Sequence, residues 1–304
     1  MGYRPGRRQV LGGVAAAAAV TVLSGGGRAF AQEPRSRGGE LADRLRELER
    51  AHAARLGVFA QDVVTGRTVA YRADELFPMC STFKTLAVGA VLRDLDRDGS
   101  FLAERRHYTA KDVTESSYAP ITGLPGNLEA GMTVEELCAA AIQYSDNAAA
   151  NLLLRELGGP EAITRFCRSA GDRVTRLDRW EPALNSAEPG RSTDTSSPRA
   201  IGLTVARLTV GRALDPSDRH RLTGWLLGNT TGTNRLRAGL PTTWAIAEKT
   251  GTGSYGTTND VGVTWPPDGG PIAVAVLSTK TTPDAPADEP LLAATARLIA
   301  TALA

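Results

Sequence analysis

Strand-like runs in this chain of 304 residues fall only toward its two ends. Near the front, Gly57 to Val64 and Arg67 to Tyr71 read as two strands joined at Thr65-Gly66, a hairpin. Near the back, Trp244–Thr250, Val261–Trp265 and Ile272–Ser278 read as three more, the last two joined by Pro266-Pro267-Asp268-Gly269-Gly270. Between the two groups, from about residue 80 to 228, the apolar spacing is mostly helical. Strands joined by hairpins pair antiparallel, so the two ends of the chain have to meet in one sheet. Leu41, Leu45 and Leu48, at i, i+4 and i+7, mark a helix before the strands, and residues 289–303 mark another after them. The expected fold class is α/β of the α+β type: an antiparallel five-stranded sheet flanked by N- and C-terminal helices, plus an inserted all-helical domain. Residues 32–78 and 229–304 are expected to form the α/β domain and 79–228 the helical domain. The active site is expected in the cleft between them.

Residues 1–31 read as an export signal rather than as fold. An arginine-containing start is followed by the apolar run Val14 to Leu23 and by Ala29-Phe30-Ala31, an A-x-A cleavage pattern. Arg7-Arg8 ahead of the apolar run fits a twin-arginine signal, with a plain secretory signal as the alternative. The run is well short of the roughly 20 residues a membrane span needs, and the segment holds no Cys to carry a lipid anchor. Its removal takes away Arg4, Arg7, Arg8 and Arg28 and no acid, which moves the formal charge from +2 to −2. A near-neutral mature chain has no electrostatic footprint for nucleic acid and no basic patch for a membrane surface. Three cysteines, 80, 138 and 167, leave at least one without an intramolecular partner, and no C-x-x-C suggests structural zinc. His52, His107 and His220 are scattered through charged, helix-like contexts and read as surface residues. No metal or cofactor is expected, and the general base is not expected to be a histidine.

Only four lysines occur, at 84, 111, 249 and 280, whereas arginine supplies nearly all other positive charge. Lysine can lose its proton in a desolvated site and arginine cannot, so these positions merit inspection. Lys84 closes Ser81-Thr82-Phe83-Lys84, ahead of an apolar helical run through Leu92. A serine and a lysine three apart share a helix face, and a neutral amine there can take the serine proton. Ser145-Asp146-Asn147 sits in a short break between two apolar helices, the first opened by the capping-box pair Thr133 and Glu136. Lys249-Thr250-Gly251 ends a strand-like run. Gly251, Gly253 and Gly256 also satisfy G-x-G-x-x-G, but Thr257 to Asp260 leads into a strand and not into the helix a dinucleotide site requires. The stretch from Arg176 to Asn185 packs Asp178, Arg179 and Glu181 around Trp180 and Pro182, which reads as a structured loop with Glu181-Pro182 a candidate cis peptide.

Taken together, S-x-x-K, S-D-N, the acidic loop and K-T-G, in that order, resemble the class A serine β-lactamases across essentially the whole mature chain; three of these motifs are the set given for that class and for penicillin-binding proteins. The resemblance implies hydrolysis of β-lactam antibiotics, a small-molecule substrate, no cofactor, and export as a monomer with no stable membrane anchor. It implies Ser81 as nucleophile, with Lys84 or Glu181 as the base of acylation, and Ser145 as a proton relay to the leaving nitrogen. Asn147 is implied to bind the drug's acyl-amide group, Lys249 to supply positive charge, and Thr250 to bind the drug's carboxylate. The backbone N–H groups of Ser81 and Thr252 are implied to form the oxyanion hole, beside Gly251, with Tyr118 as an aromatic wall. Glu181 and Asn185 match the pair that holds the deacylating water, and Arg179 and Asp194 the ion pair that pins this loop.

The chain also departs from the family's patterns. Thr258 stands where many members carry the arginine for the drug's carboxylate, and Arg235 matches the alternative source, expected to bind it bidentately. Cys138 lacks a partner because Val88 fills that position, and Gly253 stands where some members have the Cys that bridges to the position of Cys80, so no disulfide is expected from Cys80. That puts in doubt any carbapenem activity relying on such a bridge. A D-alanyl-D-alanine peptidase, or a β-lactam sensor on the same fold, shares the serine and lysines but has no use for Glu181 and Asn185.

Overall fold

The computed structural model describes residues 37–304, together with Gly2. The export segment read at 1–31 lies outside the described residues, Gly2 apart. Helix α1, Arg37–Ala51, carries the three leucines read as one helix face, and Leu45 among them is fully buried. Strands β1, Arg55–Asp62, and β2, Thr68–Tyr71, form the first hairpin. Strands β3, Ala245–Gly253, β4, Thr257–Trp265, and β5, Ile272–Thr279, complete a five-stranded sheet in the order β2-β1-β5-β4-β3, antiparallel throughout. The pairing of β1 with β5 along its whole length, from Arg55 with Thr279 to Asp62 with Ile272, is the contact that brings the chain ends together.

Both sheet faces are covered. On one side α1 and the C-terminal helix Glu289–Leu303 bury Leu56, Val58, Val274, Val276, Leu292 and Ile299 in one cluster. On the other side Ile201 and Val205 of the helix Pro198–Thr209 join Ala275 and Leu277 of the sheet to the core of the helical layer. A strand covered on both faces loses the in-out alternation, which is why every residue of β5 is buried and Ile272 to Leu277 form an unbroken apolar run.

Two expectations about strand extent need correction. β3 does not stop at Thr250 but continues through Gly253, and β4 begins at Thr257 rather than Val261. Glycines disguise a strand, but here Gly251 pairs with Asn259 and Gly253 with Thr257. Tyr255 and Gly256, at φ 58° and 56°, supply the tight turn whose twist suits a hairpin. The excursion is also not purely helical. Phe77–Pro78 pairs with Thr195–Ser196, and Arg105–Arg106 with Met132–Thr133. His107 and His220 are exposed, but His52 is partly buried, with Nδ1 3.0 Å from Asp288.

The excursion supplies the helices that matter for the site. Helix α2, Phe83–Ala90, is buried at every position, so it runs through the middle of its layer. Helix α3, Val134–Gln143, opens with the Thr133–Glu136 capping box, and α4, Asn147–Leu157, starts from Asp146 as its cap. Replacing Leu86, fully buried on α2, by alanine is expected to cost about 2–5 kcal/mol. A lower urea midpoint at unchanged m-value is the result that checks it.

Candidate active site

Two interruptions in the helical layer converge on the end of β3. Ser81 lies in a single turn of 3-10 helix, Cys80–Thr82, ahead of α2 rather than inside it. Ser145 lies between α3 and α4, and the residues from Lys249 to Thr252 lie along β3. Cys80 and Ser145 adopt left-handed backbone, φ 46° and 58°, which is uncommon for residues with a side chain and concentrates at functional sites. The cavity between these breaks holds about 310 Å³. Ser81, Tyr118, Ser145, Asn147 and Asn185 line it, with Arg235, Thr250, Gly251, Thr252 and Thr231. Tyr118 is half exposed, which suits a wall at the mouth.

Inside the cavity wall lies a connected set of buried polar groups. The Ser81 hydroxyl donates to Glu181 Oε1 at 3.1 Å, and Lys84 Nζ lies 3.1 Å from the same oxygen. Lys84 also donates to Asn147 Oδ1 at 2.6 Å and to the Ser145 carbonyl at 2.7 Å. Lys249 Nζ donates to Ser145 Oγ at 3.0 Å and to the Thr250 carbonyl at 2.9 Å. Both lysines are fully buried. Burial pushes the Lys84 amine below its ordinary value, while the Glu181 carboxylate pulls it back up. Lys249 is driven well below its ordinary value by burial and by the positive charges of Lys84 and Arg235. Ser145 thus bridges two amines whose affinity for a proton is reduced, an arrangement suited to passing one along. The Cys80 thiol beside the nucleophile is fully buried and pushed up by burial, so it is inert. Cys80, Cys138 and Cys167 are all free.

Glu181 is placed from several directions. Its backbone N–H donates to Asn151 Oδ1 at 3.0 Å, and Asn151 Nδ2 donates back to its carbonyl at 2.9 Å. Asn185 Nδ2 donates to Glu181 Oε2, and the Glu181-Pro182 peptide is cis. Arg179 Nε donates to Asp194 Oδ2 at 2.6 Å, while Asp194 Oδ1 accepts the backbone N–H groups of Asp178 and Arg179. The Asp194 carbonyl accepts the Met79 N–H at 3.0 Å, which ties the same clamp to the turn carrying Ser81. Gly253 has no room for a side chain, since a Cβ there would sit 2.7 Å from both the Asn185 carbonyl and Cys80 Sγ.

Every predicted site residue is accounted for in this region, but Arg235 differs in detail. It is buried beneath β3. Nη1 donates to the Gly251 and Asn259 carbonyls at 2.9 Å each, Nη2 to Thr252 Oγ1 at 2.7 Å, and Nε to Glu289 at 3.2 Å. A guanidinium has five N–H protons, so a single Nη2 proton remains for a ligand and the expected bidentate fork is not available. Asn147 is likewise engaged, with Nδ2 on the Ser116 carbonyl at 3.0 Å. Sequence reasoning missed Asn151, although its place four residues after Asn147 on one helix was a usable signal. It also missed the scaffolding role of Asp146, which caps α4 and accepts the Ile121 and Thr122 N–H groups. Among the described residues no cluster of His, Cys, Asp and Glu is arranged to hold a metal ion, and no helix is long and apolar enough to cross a membrane.

Comparison with known proteins shows which family the chain belongs to. The family described as "Beta-lactamase enzyme family" matches residues 40–303. A protein of Streptomyces lavendulae named "Beta-lactamase" is 65% identical over 302 residues, 99% of this chain and 98% of that protein. The "Carbapenem-hydrolyzing beta-lactamase KPC" of Klebsiella oxytoca is 47% identical over 259 residues, 85% of this chain and 87% of that protein. The solved structure "Beta-lactamase from Streptomyces albus G" superposes with a TM-score of 0.86 at 63% identity, covering 87% of this chain and all of that one.

Asp194 is almost fully buried, so Arg179→Ala leaves its carboxylate without a counter-charge. The expected loss is about 3 kcal/mol of stability, with faster hydrogen exchange across residues 176–194. Unchanged exchange there would show that the pair does not hold the loop.

Proposed function

The chain belongs to the β-lactamase enzyme family and, as a class A serine enzyme, hydrolyses β-lactam antibiotics through an acyl-enzyme, an activity that confers resistance; on that premise we propose that Ser81 is the nucleophile and Glu181 the base that delivers water to the ester. The observation that carries the assignment is Glu181 Oε1 at 3.1 Å from Ser81 Oγ, with Asn185 bound to the other oxygen of the same carboxylate.

In this reading Ser81 Oγ attacks the lactam carbonyl carbon as its proton leaves. Glu181 is the acceptor in contact with that hydroxyl, and Lys84 reaches the same carboxylate. The tetrahedral oxyanion is held by the backbone N–H groups of Ser81 and Thr252. The carbon–nitrogen bond then breaks, and the nitrogen takes a proton from Ser145, which is replenished from Lys249 or Lys84; the proton that Glu181 took from Ser81 passes on to Lys84, 3.1 Å away, which makes good that loss and leaves Glu181 a carboxylate again. Water next attacks the seryl ester. Glu181 accepts a proton from that water, the ester bond breaks, and Ser81 recovers its proton as the ring-opened β-amino acid departs. The drug's carboxylate is received by the remaining Nη2 proton of Arg235 with the hydroxyls of Thr250 and Thr252, while Asn147 and Tyr118 border the acyl-amide side. The chain's division into an α/β part, 32–78 with 229–304, and a helical part, 79–228, puts this site at their cleft. Export through residues 1–31 by the twin-arginine route, and action as a monomer, complete the proposal.

Glu181→Ala is expected to lower kcat by roughly 10²–10⁴-fold and to leave acylated Ser81 observable by mass spectrometry. A variant that turns over a chromogenic cephalosporin at the wild-type rate would refute the assignment. Arg235→Ala is expected to raise KM for penicillins roughly tenfold or more, the worth of one charge-assisted hydrogen bond, so an unmoved KM removes Arg235 from the binding site.

A further inference from the structure

Behind the cavity, β3 and β4 bury two acids that the reaction does not use. Glu248 pairs in register with Gly262, and Asp260 with Thr250. The two carboxyls therefore project from one face of adjacent strands, diagonally opposed. Both residues are fully buried. One oxygen of each is satisfied: Glu248 Oε1 accepts from Arg237 Nε at 3.0 Å, and Asp260 Oδ2 from the Leu236 N–H at 3.2 Å. The other oxygens, Glu248 Oε2 and Asp260 Oδ1, are buried without a donor. Side chains at such diagonal positions, about 7–8 Å apart, can still reach one another. Two adjacent buried carboxylates repel, and each has one oxygen without a donor, so one proton between them answers both deficits.

We propose that Glu248 and Asp260 share a single proton, and that this protonated pair positions Arg235 by holding the segment 229–237 against β3. The inference rests on the reading that Arg235 receives the substrate's carboxylate. The segment meets the pair at several points around Arg235. Arg237 and Leu236 donate to the two carboxyls, Asn229 Nδ2 donates to the Glu248 carbonyl at 2.9 Å, and a Cβ on Gly232 would lie 2.1 Å from Glu248 Oε1. The backbone beside Arg235 is thus packed directly onto Glu248, and a second negative charge there would push against it. Burial and then the Asp260 charge raise Glu248 from 4.5 to about 9, against the pull of Arg237. Burial raises Asp260 against the pull of Arg235 and Lys249. The pair titrates as a unit. Because the folded value is raised, the proton's contribution to stability is full below about 4.5 and is lost as the pH rises through about 9.

The test is infrared spectroscopy of the intact enzyme, with KM for a penicillin measured across the same pH range. At pH 7 the wild type is expected to show a protonated-carboxyl stretch that is missing from Glu248→Gln and from Asp260→Asn and that disappears as the pH passes about 9. Over that range the wild-type KM is expected to rise roughly tenfold, as expected for loss of one charge-assisted hydrogen bond. Glu248→Gln, whose amide supplies a donor that does not titrate, should hold its KM further into alkali, and any contribution from Lys249 is common to both proteins. A wild type without the band at pH 7, or KM profiles that coincide, overturns the proposal. The band needs no turnover, so it stands or falls independently of the roles given to Ser81 and Glu181, and the two variants make the result readable if one fails to fold.

Discussion

A lysine and a glutamate, both fully buried, lie 3.1 Å apart at the bottom of the cleft. Removing two charges from water costs several kcal/mol each, and their mutual attraction offsets this only when the remaining donors and acceptors are satisfied. Much of the surrounding architecture can be understood as meeting that condition. Lys84 finds Asn147 and the Ser145 carbonyl, while Glu181 finds Ser81 and Asn185. An isolated ion pair would favour replacement by apolar side chains. This one is kept because the atom placed against it is a serine hydroxyl.

The supporting shell is built so that none of these groups can drift separately. Asp146 caps α4 and at the same time grips Ile121 and Thr122, which fixes the turn after Tyr118 relative to Ser145. Asn151, one turn into α4, binds both backbone groups of Glu181, so the helix that presents Asn147 also presents the carboxylate. The Arg179–Asp194 clamp reaches Met79 and therefore the serine turn. Under β3, Arg235 is held by two carbonyls, a hydroxyl and Glu289, with the Glu248–Asp260 pair packed beside its backbone. Precise placement is paid for by saturating hydrogen bonds, and the same saturation leaves Arg235 one proton for a ligand where its side chain alone suggests a fork.

Legibility varied with the physical origin of each feature. The core strands β1 and β5 were readable because apolar runs between turn signals are dictated by burial. The ends of β3 and β4 were not, because Gly251-Thr252-Gly253 has no intrinsic preference for a strand and joins the sheet only through its partners Thr257 to Asn259. Ser81 was read as part of a helix but stands in the 3-10 turn before it, a difference of backbone curvature that side-chain spacing does not encode. The paired strands Phe77–Pro78 and Thr195–Ser196 are too short to carry any pattern.

By itself the sequence determined which residue types are available for chemistry and in what order they come: four lysines in an arginine-rich chain, two of them in serine- and glycine-marked motifs, and one glutamate in a charged, proline-bound loop. It also determined the layer plan, because burial writes its periodicity directly into the chain. Only the tertiary structure decided which oxygen faces which nitrogen, which of Arg235's protons remain free, and that two acids on neighbouring strands each keep one buried oxygen without a donor. Those outcomes depend on contacts between residues tens to hundreds of positions apart. Their energies come from desolvation and from hydrogen-bond geometry, which take effect only once the chain has closed around them.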